Sequence, residues 1–283
     1  MKRIFQNIGY GAGYFMTFSF STMPINILYS FSNLVFLLVY HVFRYRREVV
    51  IQNLSRAFPE KKYAEIQCVN KQFYRSFVNY SAEILKAYTA PAAWMQKKVT
   101  FAGIEIIDKY VSEGKNVIVS LGHCGNWEML NTLSLELKSE VYAVYKPLRN
   151  KVFNRLVLKL RSRFGIKPIA SKSVARYMLS RKDQPAVYLF LADQCPRQEN
   201  EGKRYSFLNQ ETSVYNGIEK LAVSTSSVVV YFHITQKSKG CYHVDCLPIN
   251  DKTNIAQEYL KLLEKNIKEE PSGWLWTHKR WKR

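Results

Sequence analysis

Residues 4–43 contain no Asp, Glu, Lys or Arg. Within them, residues 24–43 (PINILYSFSNLVFLLVYHVF) would extend about 30 Å as a helix, roughly one bilayer hydrocarbon core. Arg44, Arg46 and Arg47 close the run. Residues 60–88 read as a long amphipathic helix, because Tyr63, Ile66, Val69, Phe73, Phe77, Tyr80 and Ile84 recur at helical spacing. Pro91 marks the next break. Beyond it, short apolar runs alternate with amphipathic stretches. Strands are predicted at 116–120 (NVIVS), 141–145 (VYAVY), 186–191 (AVYLFL), 228–234 and 242–247, with a Gly240 turn between the last two. Helices are predicted near 126–138, 150–164, 172–182, 215–224 and 254–269. This alternation specifies an α/β fold with a central, mostly parallel or mixed sheet flanked by helices. The first three strands are continuous apolar runs, as expected where helices cover both faces.

The N-terminal run sets the domain organisation. Residues 1–47 read as a helical membrane-anchoring segment. Residues 48–283 read as one further domain, with a helical lead-in over 48–90 and an α/β core over 91–283. A cleaved signal peptide fits poorly, since the apolar part begins late and no small-x-small site follows it. A spanning helix with the Arg cluster on the cytoplasmic side fits. So does a monotopic segment, because Asn26, Ser30, Ser32, Asn33 and His41 interrupt the apolar run. The competing structural reading is a buried pair of core helices. Attachment would bring Arg44, Arg46 and Arg47 to anionic headgroups, each contributing about 1 kcal/mol.

Composition narrows the partners. The chain of 283 residues carries 42 Lys and Arg against 22 acidic residues, a net charge of +20, so an anionic partner is expected. Aromatics at 14% suit a large apolar or interfacial surface. Cysteines stand at 68, 124, 195, 241 and 246, an odd number with no CxxC pair. Neither a disulfide framework nor a zinc ribbon fits, and a reducing compartment does.

Ligands of open α/β sheets bind beyond the carboxyl ends of the strands. Three such ends carry polar residues here: 121–128 (LGHCGNWE) after NVIVS, Lys146 to Arg149 after VYAVY, and Ala192-Asp193-Gln194 after AVYLFL. His123, Glu128, Arg149 and Asp193 then share one rim. Residues five apart differ by about 140° on a helix, so His123 and Glu128 meet only if the histidine lies in the loop and the glutamate in the first turn. Gly122 and Gly125 give that loop its freedom, and Asn126 suits an N-cap. A carboxylate on one imidazole nitrogen would fix the tautomer and leave the other as a base, a His123/Glu128 dyad able to deprotonate a hydroxyl or amine. The bland alternative is a histidine packed in a tight turn. A nucleophilic Cys124 and a metal site from His123, Cys124 and Asp193 have little to support them.

Residues 138–182 hold 13 Lys or Arg and one acid, Glu140. Lys151, Arg155, Lys159 and Arg163 recur every four residues opposite Phe153, Leu156, Val157, Leu160 and Phe164, a basic amphipathic helix. It reads as a solvated face or as a site for phosphates or an acidic partner, with Arg161 off the stripe and toward the rim. The tail 274–283 (WLWTHKRWKR) combines three Trp with five basic residues, a composition suited to a membrane interface or to base stacking.

These motifs, in order, resemble one family. GHCGNWE (122–128) resembles the H-x4-D/E block of the bacterial lipid A late acyltransferases, lauroyl- and myristoyl-transferring members of the lysophospholipid acyltransferase superfamily. YRREVVIQNLSRAFPE (45–60) resembles the segment after their anchor, and YKPLRN (145–150) with RSRFG (161–165) their second block. LADQ (191–194), FLNQETSVYNGIEKLA (207–222) and WTHKRWK (276–282) resemble the third, fourth and closing blocks, so the resemblance runs over about residues 25–283. It implies a glycerolipid acyltransferase-like fold on the bacterial inner membrane, with the active site facing the cytoplasm. The implied reaction moves an acyl chain from acyl-carrier protein or acyl-CoA to a hydroxyl of an anionic glycolipid or lysolipid. His123 would be the general base and Glu128 its orienting partner, without metal or cofactor. Arg149, Arg161 and Asp193 match positions near the cleft, and Lys146 and Asn126 join them as expected substrate contacts. The chain departs from the family at Phe207-Leu208-Asn209-Gln210, where a Phe-Phe-Gly-like turn is usual. A lysophospholipid or aminolipid acceptor is the alternative within the superfamily. A non-catalytic, membrane-attached nucleic-acid-binding protein is the alternative outside it, although no RNA- or DNA-binding signature occurs.

Overall fold

The computed structural model describes residues 2–181, 183–194, 203–214, 217–251 and 253–281. Cys195, Lys182, Tyr215, Asn216, Lys282 and Arg283 lie outside the described residues. Seven of the described strands form one mixed sheet in the order β1-β9-β8-β2-β5-β3-β4. They are β1 (Val99–Ala102), β2 (Val117–Leu121), β3 (Val141–Tyr145), β4 (Lys167–Ala170), β5 (Val187–Leu191), β8 (Val228–Ser238) and β9 (Cys241–Ile249). β8, β2, β5, β3 and β4 run parallel, β9 returns antiparallel to β8, and β1 runs with β9. A separate hairpin, β6 (Lys203–Phe207) with β7 (Gln210–Val214), is absent from the sequence reading.

The apolar runs are continuous because each face has its own core. Ile118, Tyr188 and Tyr231 point into one cluster, and Val117, Val119, Leu121, Val187, Leu189 and Val230 into the other. The first face is covered by α4 (Tyr63–Lys86), α9 (Val174–Ser180) and α11 (Ile255–Glu269). The second is covered by α6 (Glu105–Ser112), α7 (Leu133–Glu136) and α8 (Lys151–Arg161). The expected helix at 126–138 is mostly a 3-10 segment, Trp127–Thr132, before the single turn of α7.

The N-terminal run forms α1 (Lys2–Thr22), a break at Pro24, and α2 (Ile25–Phe36) continued by a π-helical stretch over Leu37–Val42. Ile25–Val42 is the one described helix long and apolar enough to cross a membrane. Yet it lies along α4. Leu28, Ser32, Phe36 and Tyr40, spaced by four, form a buried seam, and Ser32 Oγ shares its hydroxyl proton between the carbonyls of Leu28 and Val78. The opposite face leaves Ile27, Phe31, Leu34, Val35 and Leu38 exposed. The Arg cluster also has duties within the fold: Arg46 donates to the Thr277 carbonyl, and Arg47 lies 4.6 Å over the Tyr40 ring.

Candidate active site

The register of the sheet builds the site. Leu121 of β2 pairs with Leu191 of β5, so His123 and Asp193 each stand two residues beyond a matched pair. The His123 Nδ1 is 2.5 Å from Asp193 Oδ1. Asp193 Oδ2 accepts from the His123 backbone N–H at 3.0 Å and from the Trp274 indole N–H at 2.7 Å. Asp193 is 3% exposed. Burial alone would raise its pKa, but the His123 ring, its two hydrogen bonds and the buried Arg280 guanidinium hold the carboxyl well below the usual range. An ionised carboxylate only accepts, so the ring nitrogen facing it is a donor, and Nε2 is the nitrogen left to face the cavity.

The loop carrying His123 is clamped from behind. Gly125 N–H donates to the Gly273 carbonyl, and Leu275 N–H to that of His123, pairing Cys124 with Trp274 as an isolated bridge. Gly125 has φ +57°, and a Cβ there would come within 3.2–3.3 Å of Ile234 and Tyr242. At Gly122 a Cβ would fall 2.4 Å from Leu263 Cδ1, so the loop is pressed against α11. The tail is therefore structural rather than interfacial: Trp274, Trp276 and Arg280 are buried, and Asn53 donates to the carbonyls of Trp276 and His278.

The expected contact between His123 and Glu128 is not formed. Glu128, in the 3-10 turn, faces α8 and takes Arg161 in a two-pronged ion pair, Nε to Oε2 at 2.9 Å and Nη2 to Oε1. Burial would lower the Arg161 pKa, but the Glu128 carboxylate raises it, so the guanidinium stays charged. Asn126 is corrected as well. It makes no cap and does not reach the cleft; its buried amide donates to Glu83 Oε2 and the Tyr80 carbonyl. Cys124 is buried, and burial with nearby Asp193 pushes its thiol well up, away from nucleophilic use. No cluster of metal-ligating side chains occurs among the described residues.

His123 opens on a cavity of about 700 Å³. Its walls are apolar along Ile84, Leu85, Val144, Leu156, Val157 and Leu191. Trp127 stands edge-on to the His123 ring at 4.6 Å, and Gln194 Nε2 lies 3.4 Å from His123 Nε2. Glu128, Arg161, Lys146 and Arg149 line the same space, the last two exposed at its rim. A narrower recess of about 50 Å³ continues past Trp127 and Val144 between Leu130, Ala143, Ile166 and Leu189. Four of the sequence-derived residues thus meet His123 at one cavity, while Asn126 stands apart and Asp193 lies beneath the ring. Gln194, Trp127 and Trp274 were not singled out; Gln194 follows Asp193 directly, the signal that would have found it.

The basic stripe on α8 is partly a helix seam. Arg155 and Lys159 lie 3.9 Å over the rings of Tyr10 and Tyr14 on α1, and Arg163 donates to the Ala87 carbonyl. The divergent 207–210 segment is the tight turn of the β6–β7 hairpin, with Leu208 and Asn209 at φ +51° and +58°. It lines neither cavity wall; Leu208 N–H donates to Glu264.

A family model described as bacterial lipid A biosynthesis acyltransferase matches residues 2–283. The chain is 20% identical over 246 residues to lipid A biosynthesis acyltransferase 2 of Shigella flexneri, covering 83% of this chain and 76% of that protein. It is 25% identical over 197 residues to a lipid A biosynthesis acyltransferase of Haemophilus influenzae, covering 64% of this chain and 58% of that protein.

Replacing Asp193 by Asn leaves one acceptor oxygen for the His123 and Trp274 N–H groups and turns an NH2 donor toward the ring, which reverses the tautomer selection, and should lower turnover by at least about 10²-fold while leaving KM nearly unchanged. Steady-state kinetics checks this. The Asp193 carboxyl titrates lower folded than unfolded, so its stabilisation is present above about pH 3.9 and is lost as pH falls toward the folded value. Acid unfolding of the wild type should show that limb, and Asp193→Asn should flatten it.

Proposed function

The chain belongs to the bacterial lipid A biosynthesis acyltransferase family and is an acyltransferase, and we propose that it moves a fatty acyl chain from an acyl-carrier-protein or acyl-CoA thioester to a hydroxyl of a lipid A precursor or related glycolipid. The observation that carries this reading is an imidazole held from behind by a buried carboxylate, with its free nitrogen on an apolar cavity. Such a base needs no covalent intermediate when the electrophile arrives as a thioester. His123 Nε2 removes the acceptor hydroxyl proton as the oxygen attacks the carbonyl. The tetrahedral intermediate collapses, the C–S bond breaks, and the leaving thiolate takes the proton back from Nε2. Asp193 stabilises the imidazolium between these steps.

The N–H groups of His123 and Gly125 are already engaged by Asp193 and Gly273. Stabilisation of the oxyanion therefore falls to a rim cation. Arg161 lines the cavity and is held in place by Glu128, which makes it the candidate. Glu128 is then a positioning residue in this mechanism. Lys146 and Arg149 are placed to meet acceptor phosphates. The acyl chain would lie along the Leu156 and Leu191 wall toward the recess behind Trp127. This assignment displaces the non-catalytic nucleic-acid-binding reading.

Attachment to the inner membrane, with the site on the cytoplasmic side, completes the proposal. The packing of α2 along α4 supports an in-plane helix, one side on the protein and the other in the acyl boundary. The segment 1–47 is then an anchor continuous with the domain.

His123→Ala should lower the rate of thiol release from acyl-carrier-protein or acyl-CoA by at least about 10²-fold; unchanged release would remove the mechanism. Converting Phe31, Leu34 and Leu38 to Ser should shift the protein from vesicle-bound to soluble in a flotation assay, since each buried apolar side chain is worth about 1.5–3 kcal/mol. Flotation equal to wild type would refute the in-plane anchor.

A further inference from the structure

A second cavity, of about 460 Å³, lies between α2 and the β8–β9 turn, with Glu83 of α4 and Met129 of the 3-10 turn in its lining. One wall is the polar ridge of α2, where Asn26, Ser30 and Asn33 stand together at helical spacing. The facing wall carries Lys98, at the start of β1, and Lys239, in the β8–β9 turn. These polar positions serve no packing purpose. All three α2 residues are exposed, and the seam that holds α2 to α4 is made by other side chains.

The two lysines have an arrangement that asks for an anion. Among the described residues, neither ammonium has a carboxylate within ion-pair distance. Each is instead stationed on an aromatic face, Lys98 5.1 Å over Trp94 and Lys239 3.8 Å over Tyr29, and Lys98 Nζ also donates weakly to Cys241 Sγ at 3.5 Å. Those rings would otherwise suit the ammonium of a zwitterionic ligand, and the chain's own cations already occupy them. The carboxylate at the floor, Glu83, does not counter this. Its two oxygens are already taken within the protein, accepting from Tyr29, Asn126 and Tyr242, and burial raises its pKa against those bonds and Lys239. Gly240 closes the wall: it has φ +71°, and a Cβ there would stand 2.5 Å from the Tyr29 hydroxyl.

We propose that this pocket binds the phosphate of a membrane lipid headgroup, held between Lys98 and Lys239 and by the Asn26, Ser30 and Asn33 side chains of α2. The source is a lipid because the same helix presents Ile27, Phe31, Leu34 and Leu38 as an apolar face beside the pocket. A lipid whose chains lie along that face brings its headgroup to the polar ridge. The site is separate from the catalytic cavity, with which it shares no lining residue. It is linked to the active-site loop through Glu83, which takes Tyr29 on one oxygen and Asn126 on the other, and through Met129 of the 3-10 turn.

The test is a phosphorus-31 NMR titration of the full-length protein with dihexanoyl phosphatidylglycerol below its micellar concentration, and in parallel with inorganic phosphate. Wild type should bind the lipid saturably. Lys98→Gln/Lys239→Gln should weaken it at least about tenfold, the scale of one lost charge-assisted hydrogen bond, and Asn33→Asp on the opposite wall should do the same. Lys109→Gln/Lys115→Gln, at and beyond α6, should change affinity less than about twofold, a control for diffuse attraction to the +20 chain. His123→Ala should bind as wild type does, so failure of the acyl-transfer mechanism leaves this site standing. Equal binding of inorganic phosphate, lost in the same variants, would support the site and make the free anion its ligand. No saturable binding, or equal loss in both double-lysine variants, would overturn it.

Discussion

The buried carboxylate of Asp193 is the constraint around which the rest of this molecule is arranged. An ion taken out of water costs several kcal/mol unless its lone pairs are filled. Here they are filled by the His123 ring, the His123 backbone and the Trp274 indole. Two of these donors belong to His123, just past β2, and the third to Trp274, while the carboxylate itself follows β5, so satisfying it draws together the ends of β2 and β5 and the C-terminal segment. A rim of loops that would otherwise be independent becomes one rigid unit.

Other features follow from that unit. The segment after Gly273 cannot be an exposed tail, because it supplies both Trp274 and the backbone bridge to the His123 loop. Its aromatic residues then fill the space between α3 (Arg47–Ala57) and the β6–β7 hairpin, where Trp276 packs near Phe58 and Trp281 near Phe207. On the cavity side, the same rigidity leaves Nε2 of one imidazole as the basic group presented to the apolar wall. Glu128 and Arg161 pair with each other there, so the inner part of the cavity carries a compensated pair while Lys146 and Arg149 stand exposed at its rim.

Much of this is legible in the amino-acid sequence. β2, β3 and β5 were found to within a residue because strands covered on both faces must be apolar throughout, and the rim follows from parallel neighbours. The short edge strands β1 and β4 and the polar β6–β7 hairpin carry no such run, and they were missed. The dyad partner was misread for a related reason. Counting along one loop made Glu128 the nearest carboxylate, whereas sheet register made Asp193 nearer in space. The equal offset appears only once Leu121 is paired with Leu191 in the sheet; the apolar runs as read from sequence end at 120 and 191 and do not show it. Asn126 illustrates the converse limit. Local chemistry favoured a cap, but a buried Glu83 on a distant helix needed a donor, and the tertiary demand prevailed.

The most direct test of this account is the tautomer of one ring. Nitrogen-15 NMR of histidine-labelled protein, assigned with His123→Ala, should show His123 protonated at Nδ1 and bare at Nε2 near neutral pH. A ring protonated at Nε2, or a tautomer unmoved by Asp193→Asn, would contradict it.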